Sequence, residues 1–125
     1  MRHALLTLLM SMVPTLALAA GTTSGSGTGF ACNLSALTTD ERGEHDTLAK
    51  DLFAAVEQRK EFTTGYAFRL SAERWADAAR WSELERKCCP FIAFELNAAA
   101  DKGPVWLTVS GRTGVKAFMK QEFGL

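Results

Sequence analysis

Charge excess and recognisable catalytic motifs are both missing from this chain of 125 residues. Its formal net charge at pH 7 is zero, from 14 basic and 14 acidic side chains. It therefore lacks the positive surface that nucleic-acid binding requires. It has no Gly-x-Ser-x-Gly elbow, no phosphate-binding glycine loop and no histidine beside a candidate nucleophile. The sequence predicts no catalytic residues and no nucleic-acid partner, and it leaves enzymatic activity an open question.

The first 20 residues have the pattern of an export signal. A short basic start precedes an apolar run over residues 4–18, and the Ala-Leu-Ala of residues 17–19 supplies small side chains two apart. A transmembrane anchor is the alternative, but the run is short for a bilayer span and contains Pro14. We expect cleavage after Ala19 or Ala20, no stable membrane anchor afterwards, and an exported protein, periplasmic or secreted.

Two segments follow the signal. Residues 21–29 contain only glycine, serine and threonine and predict a flexible linker. Residues 30–125 are then expected to form a single small domain. After removal of Arg2 with the signal, 13 basic and 14 acidic side chains remain.

Hydrophobic periodicity predicts an α+β domain, with a small, mostly antiparallel sheet and helices packed on one of its faces. Helices are expected over about 40–59 (after a capping box at Thr38 and Glu41), over 72–88, and in a short closing segment from 115. Strands are expected over 62–70, 92–98 and 105–109, after a short extended piece at Cys32. Pro90 should end the second helix, because the residue before proline disfavours helical geometry. The buried stripe of that helix is predicted to contain Trp75, Ala78, Trp81, Leu84 and Cys88.

Cysteine is scarce too, and its three residues form the candidate site. Cys88 and Cys89 are adjacent at the predicted helix–strand junction, and Cys32 lies at the other end of the domain. Three cysteines cannot all pair within one exported molecule, so one must stay free, bind a metal or link two chains. The cationic neighbours Arg86 and Lys87 are expected to keep the thiolates ionised.

The cysteines allow three interpretations. In the first, Cys32 forms a disulfide with Cys88 or Cys89. In the second, the three thiolates converge on one soft ion. In the third, Cys88 and Cys89 act as a redox pair. Three sulfurs suit copper(I), mercury(II) or arsenic(III). Zinc fits less well, because a closed zinc site takes four ligands and the mature chain offers only His45 besides the cysteines.

One further pair of side chains is weighed for acid–base chemistry. Glu83 and Glu85 are two residues apart on the second helix, so they should point in different directions. Both are expected to be solvated.

The motif around these cysteines resembles a group of small, uncharacterised bacterial proteins. The resemblance rests on Cys32, on Glu-Arg-Lys-Cys-Cys-Pro-Phe at 85–91, on Phe-Glu-Leu at 94–96 and on Gly-Pro-Val-Trp-Leu at 103–107, and it covers most of 30–118. The group is loosely associated with heavy-metal resistance, which implies soft-metal binding by the three cysteines. The export signal sets this sequence apart from many members of the group.

The sequence therefore predicts an exported small thiol protein that binds a soft metal or metalloid ion through Cys32, Cys88 and Cys89. The first alternative is a non-catalytic structural or interaction domain with one disulfide and one buried free thiol. The second is a thiol-redox protein. These hypotheses separate on whether Cys32 reaches the Cys88–Cys89 bend.

Overall fold

A computed structural model describes residues 29–125. The predicted signal peptide and residues 21–28 of the predicted linker lie outside the described residues. The regular elements are α1 (Thr39–Ala54), β1 (Gln58–Phe62), β2 (Gly65–Leu70), α2 (Trp75–Cys88), β3 (Ala93–Ala98), β4 (Val105–Ser110) and α3 (Val115–Glu122). Single 3-10 turns at Leu34–Ala36 and Ala72–Arg74 precede α1 and α2.

The four strands form one antiparallel sheet in the order β1-β2-β4-β3. Alternation along the two central strands turns apolar side chains to one face, where α1, α2 and α3 cover them. The α+β class, with a sheet covered by helices on one face, is therefore confirmed. The buried residues that these two strands contribute are Tyr66, Phe68, Leu70, Val105, Leu107 and Val109.

Helix α1 is shorter than its sequence pattern predicts. It begins at the expected capping box, in which Thr38 and Glu41 exchange side-chain-to-backbone hydrogen bonds, but it ends at Ala54 instead of residue 59. The segment Gln58–Phe62 pairs with β2 as an edge strand, and all five of its residues are exposed. Because neither face of β1 is buried, it carries no alternating hydrophobic signal that would separate it from the helix.

The strand predicted over 62–70 is in fact one arm of a hairpin. The chain turns at residues 63 and 64, and β2 begins at Gly65. A Cβ atom at Gly65 would collide with the main-chain carbonyl oxygen of Val109 on the neighbouring strand. Glycine is therefore required by the close approach of two strands.

Helix α2 follows the prediction at its end more closely than at its start. A 3-10 turn occupies residues 72–74, and Trp75 remains 45% exposed although it was predicted to be buried. Ala78, Trp81, Leu84 and Cys88 are buried as expected. The helix ends at Cys88 with Cys89 as its C-cap, where Pro90 was predicted to end it. None of the helices within 29–125 has both the length and the apolarity needed to cross a bilayer.

Candidate metal and thiol site

A disulfide joins Cys32 to Cys89, the first residue after α2. The bonded residues are 57 positions apart in sequence, and their Cα atoms are 4.6 Å apart. Cys32 therefore reaches the Cys88–Cys89 bend, which was the condition that separated the sequence hypotheses. Of the two pairings left open by the sequence, the structure has the one with Cys89, and it leaves Cys88 as a free thiol.

Local contacts hold the N-terminal segment against the end of α2. The main-chain N–H of Asn33 donates to the carbonyl oxygen of Cys88 at 2.7 Å. The Asn33 side chain accepts from the N–H of Ser35 at 3.2 Å and caps the 3-10 turn that follows Cys32 and Asn33. Phe30 packs on Phe91 with ring centroids 4.9 Å apart.

The Cys88 thiol is enclosed beside the disulfide. Cys88 is 1% exposed, and its Sγ lies 3.5 Å from Sγ of Cys89. Burial, followed by the charge of Glu85, raises the pKa of this thiol to about 11. The expectation that Arg86 and Lys87 would keep it ionised was wrong. Lys87 points to solvent and pairs with Glu41 at 2.6 Å, while a carboxylate is the charge that affects the thiol.

Glu85 is the residue of the candidate site that the sequence analysis missed. It was expected to be solvated, but it is 3% exposed, whereas Glu83 points outward and pairs with Arg80. One Glu85 oxygen, Oε1, lies 2.7 Å from Nε2 of His45. The other, Oε2, is buried and has no hydrogen-bond partner. The hydrogen bond that Glu85 accepts from His45 raises the pKa of His45, against the opposing effect of partial burial.

The antiparallel packing of α1 on α2 explains how His45 reaches Glu85. Glu41 contacts Lys87, and Glu44 contacts Arg80, on either side of the His45–Glu85 pair. A signal for Glu85 was present in the sequence. It lies four residues after Trp81 and three before Cys88, so it falls on the same helical face as these two buried residues.

Five side chains with possible ligand atoms lie near the end of α2, in two overlapping sets of three. The ligand atoms of Cys32, Glu85 and Cys89 lie within 4.8 Å of one another, and so do those of His45, Glu85 and Cys88. Glu85 belongs to both groups. The structure bonds Cys32 to Cys89 and places Sγ of Cys88 3.5 Å from Sγ of Cys89, and it adds an imidazole and a carboxylate. The three sulfurs do not themselves form a set within 4.8 Å of one another. Coordination by the three cysteines itself stays a prediction.

One of the partly open sides of the site is at Cys32. Cys88 and Cys89 are buried, but Cys32 is partly exposed and lines a groove of about 270 Å³. Phe30, Leu34 and Phe118 form the apolar wall of this groove, and Glu122 lies at its edge. A small ion or a reductant would meet Cys32 first.

Fold and site together define a small α+β domain with one disulfide and a buried free thiol. Comparison of the chain with protein-family models, with curated proteins and with solved structures found no match. The resemblance to bacterial proteins of heavy-metal resistance stays a prediction. Function must therefore be inferred from the chemistry of the five donors.

Proposed function

We propose that this protein is an exported thiol protein that binds a soft metal or metalloid ion through Cys32, Cys88 and Cys89 when its disulfide is reduced. The observation that carries the proposal is the position of the third sulfur. Cys88 Sγ lies 3.5 Å from a sulfur of the Cys32–Cys89 bond. A structural disulfide alone would not need a third cysteine at this point.

A trigonal site needs all three sulfurs at similar spacing, which reduction of the disulfide and movement of Cys32 would have to supply. A metal–sulfur distance of about 2.3 Å places the sulfurs of a trigonal site roughly 4 Å apart. Cys88 and Cys89 are already at 3.5 Å. The sulfurs of Cys32 and Cys89 would have to separate by about 2 Å once their bond is reduced. Cys32 has room for this movement because it borders the groove.

Charge favours a trivalent ion in this buried setting. Three thiolates carry three negative charges, and an uncompensated charge in a protein interior is costly. Arsenic(III) gives a neutral complex, whereas mercury(II) and copper(I) leave one and two negative charges. In the binding step, arsenous acid and three thiols form three As–S bonds and release three water molecules. A dithiol must first supply two electrons and two protons to the disulfide, becoming a disulfide itself.

The export part of the proposal rests on the N-terminal pattern and on the disulfide. Disulfides persist mainly in oxidising compartments, so the disulfide form would be the resting form outside the cytosol. The mass of the protein recovered from the periplasm or medium tests this part. Export predicts a chain that begins at Ala20 or Gly21, and a cytosolic chain that retains residues 1–20 would contradict it.

A second candidate function is a structural or interaction domain without a bound ion. The disulfide at the end of α2 and the inert state of Cys88 favour it. With a pKa of about 11, this thiol is almost entirely protonated at neutral pH. The same property argues against a thiol-redox role, because the thiolate is the species that attacks a disulfide.

Native mass spectrometry of the mature protein separates these functions. The fully reduced protein should retain one arsenic(III), added as arsenous acid. Cys32→Ser and Cys88→Ser should each lower the affinity by at least about a hundredfold, because each loses one of three As–S bonds. The oxidised protein, two protons lighter, is the matched control and should retain none. Reduced protein that binds no arsenic(III), copper(I) or mercury(II) would overturn the proposal in favour of the disulfide-bonded domain.

A further inference from the structure

We propose that the disulfide form of this protein has its own metal site, in which His45, Glu85 and Cys88 bind a borderline divalent cation of the zinc(II) or cobalt(II) class. The ligand atoms of these three residues lie within 4.8 Å of one another. None of them belongs to the disulfide. This site deepens the metal-binding function proposed above, but it needs no reduced Cys32 or Cys89.

The placement of the three donors follows from the helices. Glu85 and Cys88 are three residues apart on α2, so they lie one above the other on one face. His45 faces them from α1, with its Nε2 atom 2.7 Å from Oε1 of Glu85. Two packed helices thus supply an imidazole nitrogen, a carboxylate oxygen and a thiol sulfur, all of which are zinc ligands.

One buried oxygen atom of Glu85 has no hydrogen-bond partner and is free to bind a cation. Oε2 of Glu85 is buried without a hydrogen-bond partner, on a side chain that is only 4% exposed. A buried carboxylate oxygen without a partner is costly. A cation bound beside Glu85 would compensate this oxygen and take the place of the hydrogen atom that Glu85 and His45 share.

Charge balance selects the class of cation. On binding, Cys88 would release its thiol proton to solvent, and the proton between His45 and Glu85 would leave as well. The neutral imidazole, carboxylate and thiolate that remain carry two negative charges in total, so a divalent ion gives a neutral buried site. Borderline ions also bind better to a mixed group of nitrogen, oxygen and sulfur ligands than to three sulfur ligands. The reduced and the disulfide forms would therefore prefer different ions through overlapping residues.

His45 has a second contact that orients its ring. Its Nδ1 atom lies 3.4 Å from Oδ1 of Asp46, whose side chain is 83% exposed. A proton on Nδ1 would leave Nε2 free to bind the ion, which is the usual arrangement when a carboxylate lies behind a metal-binding histidine. The His45 side chain is also the most exposed of the three donors, at 12%, so the ion would enter beside it.

Cobalt(II) is the probe that tests this site. Disulfide-intact protein, verified by mass and purified without metal, is titrated with cobalt(II) while the visible and near-ultraviolet absorption is recorded. One equivalent should bind and give a sulfur-to-cobalt charge-transfer band. Glu85→Gln, His45→Gln and Cys88→Ser should each weaken binding by at least about tenfold, and Cys88→Ser should abolish the band. Glu83→Gln is the matched control, because Glu83 is exposed on the same helix, and its affinity should be unchanged.

Two results would overturn the proposal. One is the absence of cobalt(II) binding at millimolar concentration. The other is binding that Glu85→Gln, an isosteric change, leaves intact while the variant remains folded by circular dichroism. The three-thiol function fails separately, since it is measured with arsenic(III) on reduced protein and depends on Cys32. Cobalt(II) binding to the disulfide form does not depend on a Cys32 thiol.

Discussion

The first turns and the last turn of α2 both contain buried residues, but the side chains they bury differ in chemistry. The turns up to Leu84 bury Ala78 and Trp81, whereas the last turn buries Glu85 and Cys88. Burial of apolar surface stabilises a fold by roughly 25 cal/mol per Å², whereas a buried carboxylate costs free energy unless it is paired, and a buried thiol packs as a small hydrophobe. The first part therefore stabilises the fold, while Glu85 in the last turn has a cost that burial alone does not offset.

Removal of the disulfide should have the largest effect on the last turn. The bond spans 57 residues of sequence, and the chain-entropy model assigns about 4 kcal/mol to a loop of this length. The double variant Cys32→Ser/Cys89→Ser should lose about that much free energy of unfolding in urea denaturation. Cys88→Ala is the control, because it keeps the disulfide, and it should lose much less. Equal losses for the two variants would contradict the pairing.

Truncation within the apolar part should affect stability alone. Leu84 is fully buried, and Leu84→Ala should lower the free energy of unfolding by about 3 kcal/mol through lost burial and a cavity. The variant that remains folded should bind cobalt(II) with an affinity within about twofold of the wild type, since no donor changes. Urea denaturation and cobalt titration measure the two quantities. A large loss of affinity would show that the two parts are not separable.

Replacement of the buried pair His45 and Glu85 should abolish cobalt(II) binding and leave stability nearly unchanged, the reverse of Leu84→Ala. A double variant, His45→Leu/Glu85→Leu, removes both members, and such exchanges are often neutral or stabilising. Its free energy of unfolding should be within about 1 kcal/mol of the wild type or higher, and its cobalt(II) binding should be lost. The single variant His45→Leu should lose about 2 kcal/mol, because it leaves the Glu85 carboxylate buried without its hydrogen-bond partner. If the double variant were less stable than this single variant, that result would contradict the expectation that the His45–Glu85 pair adds little to stability.

The smallest effect is a pH dependence of the metal-free protein. Glu85, and more weakly Asp46, face His45 and raise its pKa, so protonated His45 stabilises the folded state. This contribution is complete below the ordinary value of 6.5 and is lost as the pH rises through the raised pKa. The stability advantage of the wild type over His45→Gln should therefore be larger at about pH 5.5 than at about pH 9. An advantage that grows with pH would contradict the assigned pair.

The apolar part of α2 could be predicted from the sequence, and the polar site could be predicted only in part. Periodicity locates Ala78, Trp81 and Leu84, because burial of such residues is the rule. The same rule assigns Glu85 to solvent, and only its register with Trp81 and Cys88 points the other way. The contact with His45, 40 residues earlier in the chain, depends on how α1 packs against α2.

The places where the fold differs from the sequence predictions also have physical causes. β1 is exposed on both faces, so its sequence has no alternation, and the first helix was predicted to extend to residue 59, over the first two residues of β1. The pairing of Cys32 with Cys89 instead of Cys88 is set by side-chain direction at one helix terminus. Cys88 still lies within α2, whereas Cys89 is its C-cap, where the helical backbone geometry ends. The sequence predicts Cys88 on the buried stripe and the helix end before Pro90, but it left both pairings of Cys32 open.

The central claim is that the three sulfurs at the end of α2 can hold one ion together. X-ray absorption spectroscopy of the reduced mature protein with one equivalent of arsenic(III) tests it most directly, because it counts the sulfur neighbours of the bound ion. If all three cysteines bind the ion, arsenic(III) in the wild-type protein should have three sulfur neighbours and no oxygen neighbour. Two sulfurs with one oxygen, unchanged in Cys88→Ser, would contradict it.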